Sequence, residues 1–171
     1  MKTAQSDFGV SGHLGLENKL EIFSSIVENA EDAILVKDMT GTILVWNKGA
    51  EELYGYKLEE MVGKNISLLL PEGHKDEVQK ILLRIAKGEK IEHYETTRVK
   101  KDGTKIVVSL TVSPVKNKEG KITGASSVAR DITKQKEREE AIEKMNKLMV
   151  GRELKMIELK NEIAKLKLVN R

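Results

Sequence analysis

KDGTKIVVSLTVS, residues 101–113, is the stretch that decides the fold. Its second half alternates apolar and polar side chains, which indicates an antiparallel strand with one buried face. The Asp-Gly pair near its start supplies the positive φ of a tight hairpin, so another strand is expected before it. The predicted buried face comprises Ile106, Val108, Leu110 and Val112. The stretch therefore predicts a hairpin that lies half-buried on a core.

Further strands are expected on both sides of this stretch. Residues 91–100 precede the Asp-Gly turn, and residues 121–130 follow a second hairpin turn at 117–120. Earlier in the chain, two short apolar segments at 33–36 and 42–46 flank a turn of their own. Because the connections are short turns, these strands are predicted to pair antiparallel.

Helical patterns fill the remaining segments. Short helices are expected at 48–54 and 58–61, and a longer one at 74–87, whose apolar residues recur at i, i+3, i+4 and i+7. Residues 16–30 precede the strands and read as an amphipathic helix with its apolar face toward the domain or a partner chain. That face comprises Leu16, Leu20, Phe23 and Val27. This order predicts an α+β domain with an antiparallel sheet and helices on one face.

After Thr133 the chain becomes rich in Lys and Glu, with no Pro and a single Gly. Apolar residues spaced alternately three and four apart predict a coiled coil, and the alternative is an amphipathic helix packed on its own domain. The predicted seam runs through Ile142, Met145, Met149, Arg152, Met156, Leu159, Ile163, Leu166 and Asn170. Arg152, which follows Gly151, is its charged member and is predicted to fix register or oligomeric state, or to mark a hinge.

Four regions follow from these patterns. We expect a flexible lead-in at 1–15, the amphipathic helix at 16–30, the α+β domain at 31–133 and a signalling helix at 134–171.

Composition excludes several classes of protein. The 171 residues carry a net charge of +3 from interspersed charges, with 4% aromatic residues, so no nucleic-acid contact is expected. No apolar run approaches the ~20 residues of a membrane span, which favours a cytoplasmic protein. No P-loop, Gly-rich nucleotide loop or nucleophile motif is present, and the predicted coil has no histidine to accept a phosphoryl group. We therefore expect no catalytic activity in this chain.

Residues 22–133 resemble the PAS family of sensory domains. The resemblance rests on ILVWN at 43–47 with Ala50, LYGY at 53–56, EEMVG at 59–63, LP at 70–71, RVKKDGT at 98–104 and VARDIT at 128–133. It implies a five-stranded antiparallel sheet that cups a pocket under its helices. It also implies that the domain senses a ligand, cofactor, light or redox state, or mediates association, and signals through a helical linker.

The resemblance gives an expected function and an alternative. The expected function is a sensor that relays through a homodimeric coiled coil, of parallel orientation as is usual in the family, to a histidine kinase or a transcriptional regulator. The alternative is a dimerisation module that binds no ligand. In PAS proteins the residues that match Asp131 and Thr133 couple the sheet to the output helix. The alternative interpretation is that these two residues only cap the helix that begins at this junction.

Five residues are candidates for the pocket: Trp46, Asn47, Tyr54, His74 and Arg98. For Asn47 a helix N-cap is favoured over a ligand donor, and for Trp46 packing is favoured. Arg98 has the chemistry to bind a carboxylate ligand, although a surface pair with Glu95 or a neighbouring strand is preferred.

No cofactor is required by the sequence. In haem-binding PAS domains an axial histidine comes from the helix that matches 74–87, so His74 is the haem candidate, and no other metal site is expected. Its place at the polar start of that helix favours a solvated side chain instead. A flavin would contact Trp46 and Asn47. The cysteinyl-flavin chemistry of photoreceptor PAS domains is excluded, because the chain has no cysteine.

Overall fold

The computed structural model describes residues 15–74 and 76–169, with side chains described up to residue 161. The predicted lead-in therefore lies almost entirely outside the described residues. The chain forms two compact units, one that ends at Asp131 and one that begins at Ile132.

The first unit is built on a five-stranded antiparallel sheet in the order β2-β1-β5-β4-β3. The strands are β1 Ala33–Asp38, β2 Ile43–Trp46, β3 Ile91–Val99, β4 Lys105–Lys116 and β5 Ile122–Asp131. As the alternation predicted, β4 buries Ile106, Val108, Leu110 and Val112. β1 pairs with the last strand as well as with β2, so the first and last strands occupy the middle of the sheet.

One helix, α1 Leu16–Glu28, precedes the strands. The helices α2 Lys48–Tyr54, α3 Leu58–Met61 and α4 Asp76–Ala86 connect β2 to β3, with a 3₁₀ turn at Ile66–Leu69. α4 begins two residues after the predicted start at 74, and its apolar face of Val78, Ile81, Leu82 and Ile85 is buried in the core. The α+β class and the five-stranded sheet are confirmed.

α1 contributes no buried residue. Leu16 and Leu20, from its predicted apolar face, are 75% and 60% exposed, while Val27 near its end is half-buried. The helix is therefore present as predicted, but most of its apolar face lies in solvent.

Close packing at the start of α2 requires a glycine. A Cβ on Gly49 would lie 2.5 Å from the carbonyl oxygen of Asp32 and 2.7 Å from that of Ala30. Both distances are shorter than a carbon–oxygen contact permits, so only glycine allows α2 to sit this close to the segment that leads into β1.

A bulge interrupts β3, one edge of the sheet. Ile91 lies opposite Val112 and Tyr94 opposite Leu110, so two residues of β3 face one residue of β4. His93, one of the two, has a φ of 51°. The left-handed conformation of this non-glycine residue marks the position where the strand bends.

The second unit is the 37-residue helix α5, Thr133–Val169, which continues through Gly151. Its predicted seam residues Ile142, Met145, Met149, Met156 and Leu159 are each more than two-fifths exposed. Leu148, Val150, Leu154 and Ile157 outside the seam are exposed as well, so apolar side chains surround the middle of the helix. The side chains of Ile163 and Leu166, and Asn170 as a whole, lie outside the described residues. In the part of the chain that the structure describes, no helix is long and apolar enough to cross a membrane.

Candidate functional site

A small cavity of about 30 Å³ lies in the first unit, between the sheet and α4. Most of its wall is apolar, with Leu35 and Leu110 from the sheet, Val78 and Ile81 from α4, and Leu69 from the 3₁₀ turn. A buried water needs roughly 10–15 Å³, so the cavity has room for two or three atoms of that size.

Four polar side chains line the same cavity: Lys37, Tyr54, Arg98 and Ser127. Tyr54 and Arg98 were both pocket candidates from the sequence, although a surface pair was preferred for Arg98, whereas Lys37 and Ser127 were not candidates. The signal for Lys37 is its register, because it continues the inward-facing positions of Ala33 and Leu35 on β1. A lysine at the end of a short strand reads as a solvated residue, which is why it was missed.

Lys37 is 5% exposed. Its Nζ donates a hydrogen bond to Oγ of Ser127 at 2.7 Å, a neutral partner on the adjacent strand β5. Burial, with a smaller contribution from the positive charge of Arg98, lowers the pKa of Lys37 to about 8. Around neutral pH the ammonium is therefore largely charged, in a place where charge is unfavourable.

Arg98 is buried, so its predicted location on the surface was wrong. It is 5% exposed, and its Nη2 lies 2.5 Å from Oε1 of Glu77 on α4. Nη1 donates to Oγ1 of Thr96 and to the carbonyl oxygen of Thr97, and Thr96 Oγ1 donates to Oε2 of Glu77. The carboxylate and the guanidinium thus compensate one another, and the pair joins α4 to β3. The sequence offered no signal for Glu77 beyond its place in the first turn of a helix.

Tyr54 is fully buried, and burial raises the pKa of its phenol to about 12. Arg98 opposes this rise in pKa and Asp131 adds to it. The phenol therefore remains a neutral O–H donor at any physiological pH.

Asn47 caps α2, which confirms the N-cap interpretation. Its Oδ1 accepts from the backbone N–H groups of Ala50 and Ile34, both at 2.8 Å. Its Nδ2 donates to the carbonyl oxygens of Val27 at 2.8 Å and Asp32 at 3.1 Å. With all four bonds made inside the protein, this amide has no capacity left for a ligand, and it also ties the end of α1 to the sheet.

Trp46 packs in the core, as preferred from the sequence. Its Nε1 donates to the carbonyl oxygen of Tyr56 at 3.1 Å, and its ring centroid lies 5.4 Å from that of Tyr54. Neither Trp46 nor Asn47 is among the residues that line the cavity. The contacts expected for a flavin are therefore not brought together, and the cavity is far smaller than the ~300–1,000 Å³ typical of ligand pockets.

His74 lies on the surface, ahead of the first residue of α4. Its Nδ1 is 3.3 Å from the carbonyl oxygen of Glu72, and it lines an open groove with Thr97 and Lys105 rather than the cavity. Among the described residues, His74 and the cavity do not fit a haem, because the two are separate and the cavity is small. Within the described ranges, no cluster of three His, Asp or Glu side chains is arranged to hold a metal ion.

Asp131 and Thr133 flank the junction between the two units. Asp131 is the last residue of β5 and lies opposite Val108 of β4, and Thr133 is the first residue of α5. Ile132 alone separates strand from helix. The coupling role of these two residues stays a prediction.

Comparison with known proteins identifies the family of the first unit. A family model described as the PAS fold matches residues 21–132. The chain is 33% identical over 121 residues to two-component system protein A of Emericella nidulans, which covers 70% of this chain and 18% of that protein. It is 30% identical over 132 residues to the signal transduction histidine-protein kinase AtoS of Escherichia coli, covering 75% and 21%. The chain thus spans about a fifth of the length of these curated relatives.

A solved structure shares the fold. A crystal structure of the PAS domain of a protein from Colwellia psychrerythraea superimposes with a TM-score of 0.62 at 30% identity, covering 68% of this chain and 98% of that domain. The similarity therefore extends over almost the whole of an isolated domain of this kind.

Proposed function

This chain belongs to the PAS family, and on that premise we propose that it is a non-catalytic sensory module whose output runs through a dimer of α5. The observation that carries the proposal is the junction at 131–133. A single residue separates the last strand of the sheet from a 37-residue helix. Because this connection is one residue long, we propose that a change in the sheet is passed on to the helix.

The exposed seam supports dimerisation. Ile142, Met145, Met149, Met156 and Leu159 face solvent in the single chain. A long helix with such a seam gains stability when a second copy packs against it with knobs in holes. We take the second copy to be parallel, since both seams would then meet in register.

The output is a histidine kinase or a transcriptional regulator. Support comes from the names of two relatives, a two-component system protein and a signal transduction histidine kinase, of which the chain spans about a fifth. In such an arrangement α5 would bias a two-state helical element of the output.

Spin labels on the full chain test the dimer and its orientation. The chain has no cysteine, so Glu140→Cys and Asn161→Cys each place one label on the outer face of α5. The two positions are about 32 Å apart along the helix, at 1.5 Å per residue. A parallel dimer gives a short label–label distance at both positions, and no antiparallel arrangement can do so.

Met149→Glu combined with Met156→Glu is the matched control, because it places charge on the seam and is expected to abolish both distances. Absence of any distance in the labelled Glu140→Cys and Asn161→Cys chains without the seam substitutions would overturn the proposed dimeric output. A long distance at either position would overturn the parallel arrangement.

A second function is favoured by the small size of the cavity. At about 30 Å³ the interior is nearly filled by its own side chains, as expected of a dimerisation module that binds no ligand. The same labelled chains distinguish the two functions. A change in label distance when the low-molecular-weight fraction of a cell extract is added supports sensing, and unchanged distances favour the ligand-free module.

A further inference from the structure

We propose that the cavity is a binding site for a small monovalent anion, of the size of chloride, formate or acetate, held by the Lys37 ammonium. This inference deepens the proposed function, because an anion there would be the chemical state that the module senses. Binding itself requires only the first unit and is independent of α5.

The charges around the cavity do not balance. Three buried side chains that are charged near neutral pH lie at this place, the cations Lys37 and Arg98, which line the cavity, and the anion Glu77, which pairs with Arg98. Glu77 is engaged by Arg98, with Nη2 and Oε1 2.5 Å apart, whereas the partner of Lys37 is the neutral hydroxyl of Ser127. One positive charge is left over in a low-dielectric interior, which is costly without a counter-charge. A single bound anion would bring the sum to zero.

Hydrogen-bond donors outnumber acceptors at the same place. An ammonium has three N–H donors, and among the described residues the Nζ of Lys37 uses one of them, toward Ser127. Ser127 accepts that bond, which leaves its own O–H to donate. Tyr54 adds a phenol that stays protonated, because burial raises its pKa to about 12. The cavity is therefore lined by hydrogen-bond donors from three elements, β1, β5 and α2. A ligand that accepts hydrogen bonds would satisfy these donors.

Size and wall chemistry restrict which anion fits. A cavity of about 30 Å³ accommodates an anion of one to a few non-hydrogen atoms. The apolar wall of Leu69, Ile81 and Leu110 offers nothing to replace the hydration of a divalent oxyanion. Sulfate and phosphate are therefore disfavoured, and chloride or a short monocarboxylate is preferred.

NMR titration of the full chain tests the site. Sodium formate, acetate or chloride is added at pH 6.5 while sodium sulfate keeps the ionic strength constant, and backbone amide shifts are followed. Saturable shifts are expected at Lys37, Ser127 and Leu35 with at least one of the three salts. Ser127→Ala is expected to weaken the affinity about fivefold to tenfold, since one donor is lost.

Lys37→Met is the decisive variant, because it keeps the length of the side chain and removes its charge. Saturation is expected to disappear in this variant while the spectrum retains the dispersion of the folded sheet. Lys105→Met, the same substitution at an exposed position of β4, is the matched control and should titrate like the parent chain. Shifts that stay linear with every salt, or that persist unchanged in Lys37→Met, would overturn the site.

Affinity should also depend on pH. Lys37 is the titrating donor, with Arg98, Glu77, Tyr54 and Ser127 around it, and only its charged form attracts an anion. Apparent affinity is therefore expected to fall about tenfold per pH unit once the pH exceeds the pKa of about 8. A flat profile up to pH 10 would contradict the role of Lys37. Neither result bears on the helix dimer, which the spin labels test separately.

Discussion

Gly49 has no side chain where the first turn of α2 meets the backbone that leads into β1. Its Cα is so close to the carbonyl oxygens of Asp32 and Ala30 that an added methyl group would overlap both. Gly49→Ala is therefore expected to lower the free energy of unfolding by ~1–3 kcal/mol, the usual effect of overpacking against rigid atoms. Urea denaturation followed by the fluorescence of Trp46 measures the change.

Gly151→Ala provides the matched control for that experiment. No atom lies within 4 Å of a Cβ at Gly151, which is in the middle of α5. The same substitution should be neutral or should stabilise the helix by up to ~1 kcal/mol. If the two substitutions changed the free energy of unfolding equally, the close approach at Gly49 would not account for the loss of stability there.

Lys37 makes stability depend on pH in an unusual direction. Its pKa falls from 10.5 in the unfolded chain to about 8 in the folded one, so between these values the unfolded state binds more protons. The free energy of unfolding should therefore rise with pH from about 8 to 10, by up to roughly 3 kcal/mol. Above pH 10 the raised pKa of Tyr54 acts in the opposite sense, because the unfolded phenol ionises first.

Denaturation at a series of pH values in low-chloride buffer measures this rise. In Lys37→Met the rise should vanish, and the variant should be more stable than the parent at pH 7. A parent chain whose stability is constant or falls between pH 8 and 10 would show that Lys37 is not buried in its charged form.

Single residues were predictable where local geometry determines their role. The place of Asn47 between a strand and a helix was enough to identify it as the N-cap of α2, and the bond from the Ala50 N–H confirms this. Lys37 and Glu77 were not predictable, because an isolated lysine or glutamate normally reads as solvated. The alternation along β1 places Lys37 on the inward face, but only the packing of distant elements shows that it is buried, and the burial of Glu77 depends on that packing alone.

Between elements, the pair of Glu77 and Arg98 joins α4 to β3. Glu77→Gln keeps the shape of the side chain but leaves Arg98 as an uncompensated buried charge beside Lys37. We expect it to lower the free energy of unfolding by ~3–5 kcal/mol. Thermal or urea denaturation measures the loss.

A double variant controls for the loss of contacts. Glu77→Leu combined with Arg98→Met replaces both charges by apolar groups of similar size, and most of the stability should return. If the double variant were as unstable as Glu77→Gln, packing at these positions rather than charge would account for the loss.

Elements were predicted most accurately where two signals agree. β4 combines strict alternation with a hairpin turn at each end, and its burial follows the alternation. α4 begins at Asp76 rather than at 74, because the Pro71–His74 segment forms a turn before the helix. The bulge in β3 was not predictable, since the strand is polar on both faces and its register depends on β4.

For the whole molecule, the proposed dimer depends on a seam with one charged position. Arg152→Leu should tighten the dimer by about tenfold in Kd, which corresponds to ~1.4 kcal/mol, because an apolar side chain would replace a charge that the proposed helix contact buries. Sedimentation equilibrium of the full chain at several concentrations measures Kd.

Lys144→Leu is the control for this substitution, because it adds the same side chain outside the seam. It should leave Kd unchanged. An Arg152→Leu chain that associates no more tightly than the parent would remove Arg152 from the helix contact. Tightening in both variants would point to nonspecific association of the apolar surface around the middle of α5.

The overall architecture was predictable because alternation, turn residues and order along the chain all indicated the same fold. The content of the cavity was not, because it depends on side chains from β1, β3, β5, α2 and α4 whose contacts are distant in sequence. Arg98 illustrates the difference. Its strand was predicted correctly, yet its partner Glu77 lies on a helix that the sequence alone does not place against it.

The bulge at His93 affects the tendency of the protein to aggregate at high concentration. β3 is an edge strand of nine residues, and an edge strand of that length is a template for strand-to-strand aggregation. The bend at 92–93 and the charges of Lys90 and Glu92 interrupt that template at one end. Deleting Glu92 would restore one-to-one pairing with β4, and light scattering of concentrated protein is then expected to rise. The proposed dimer would thereby be protected from growing into fibres.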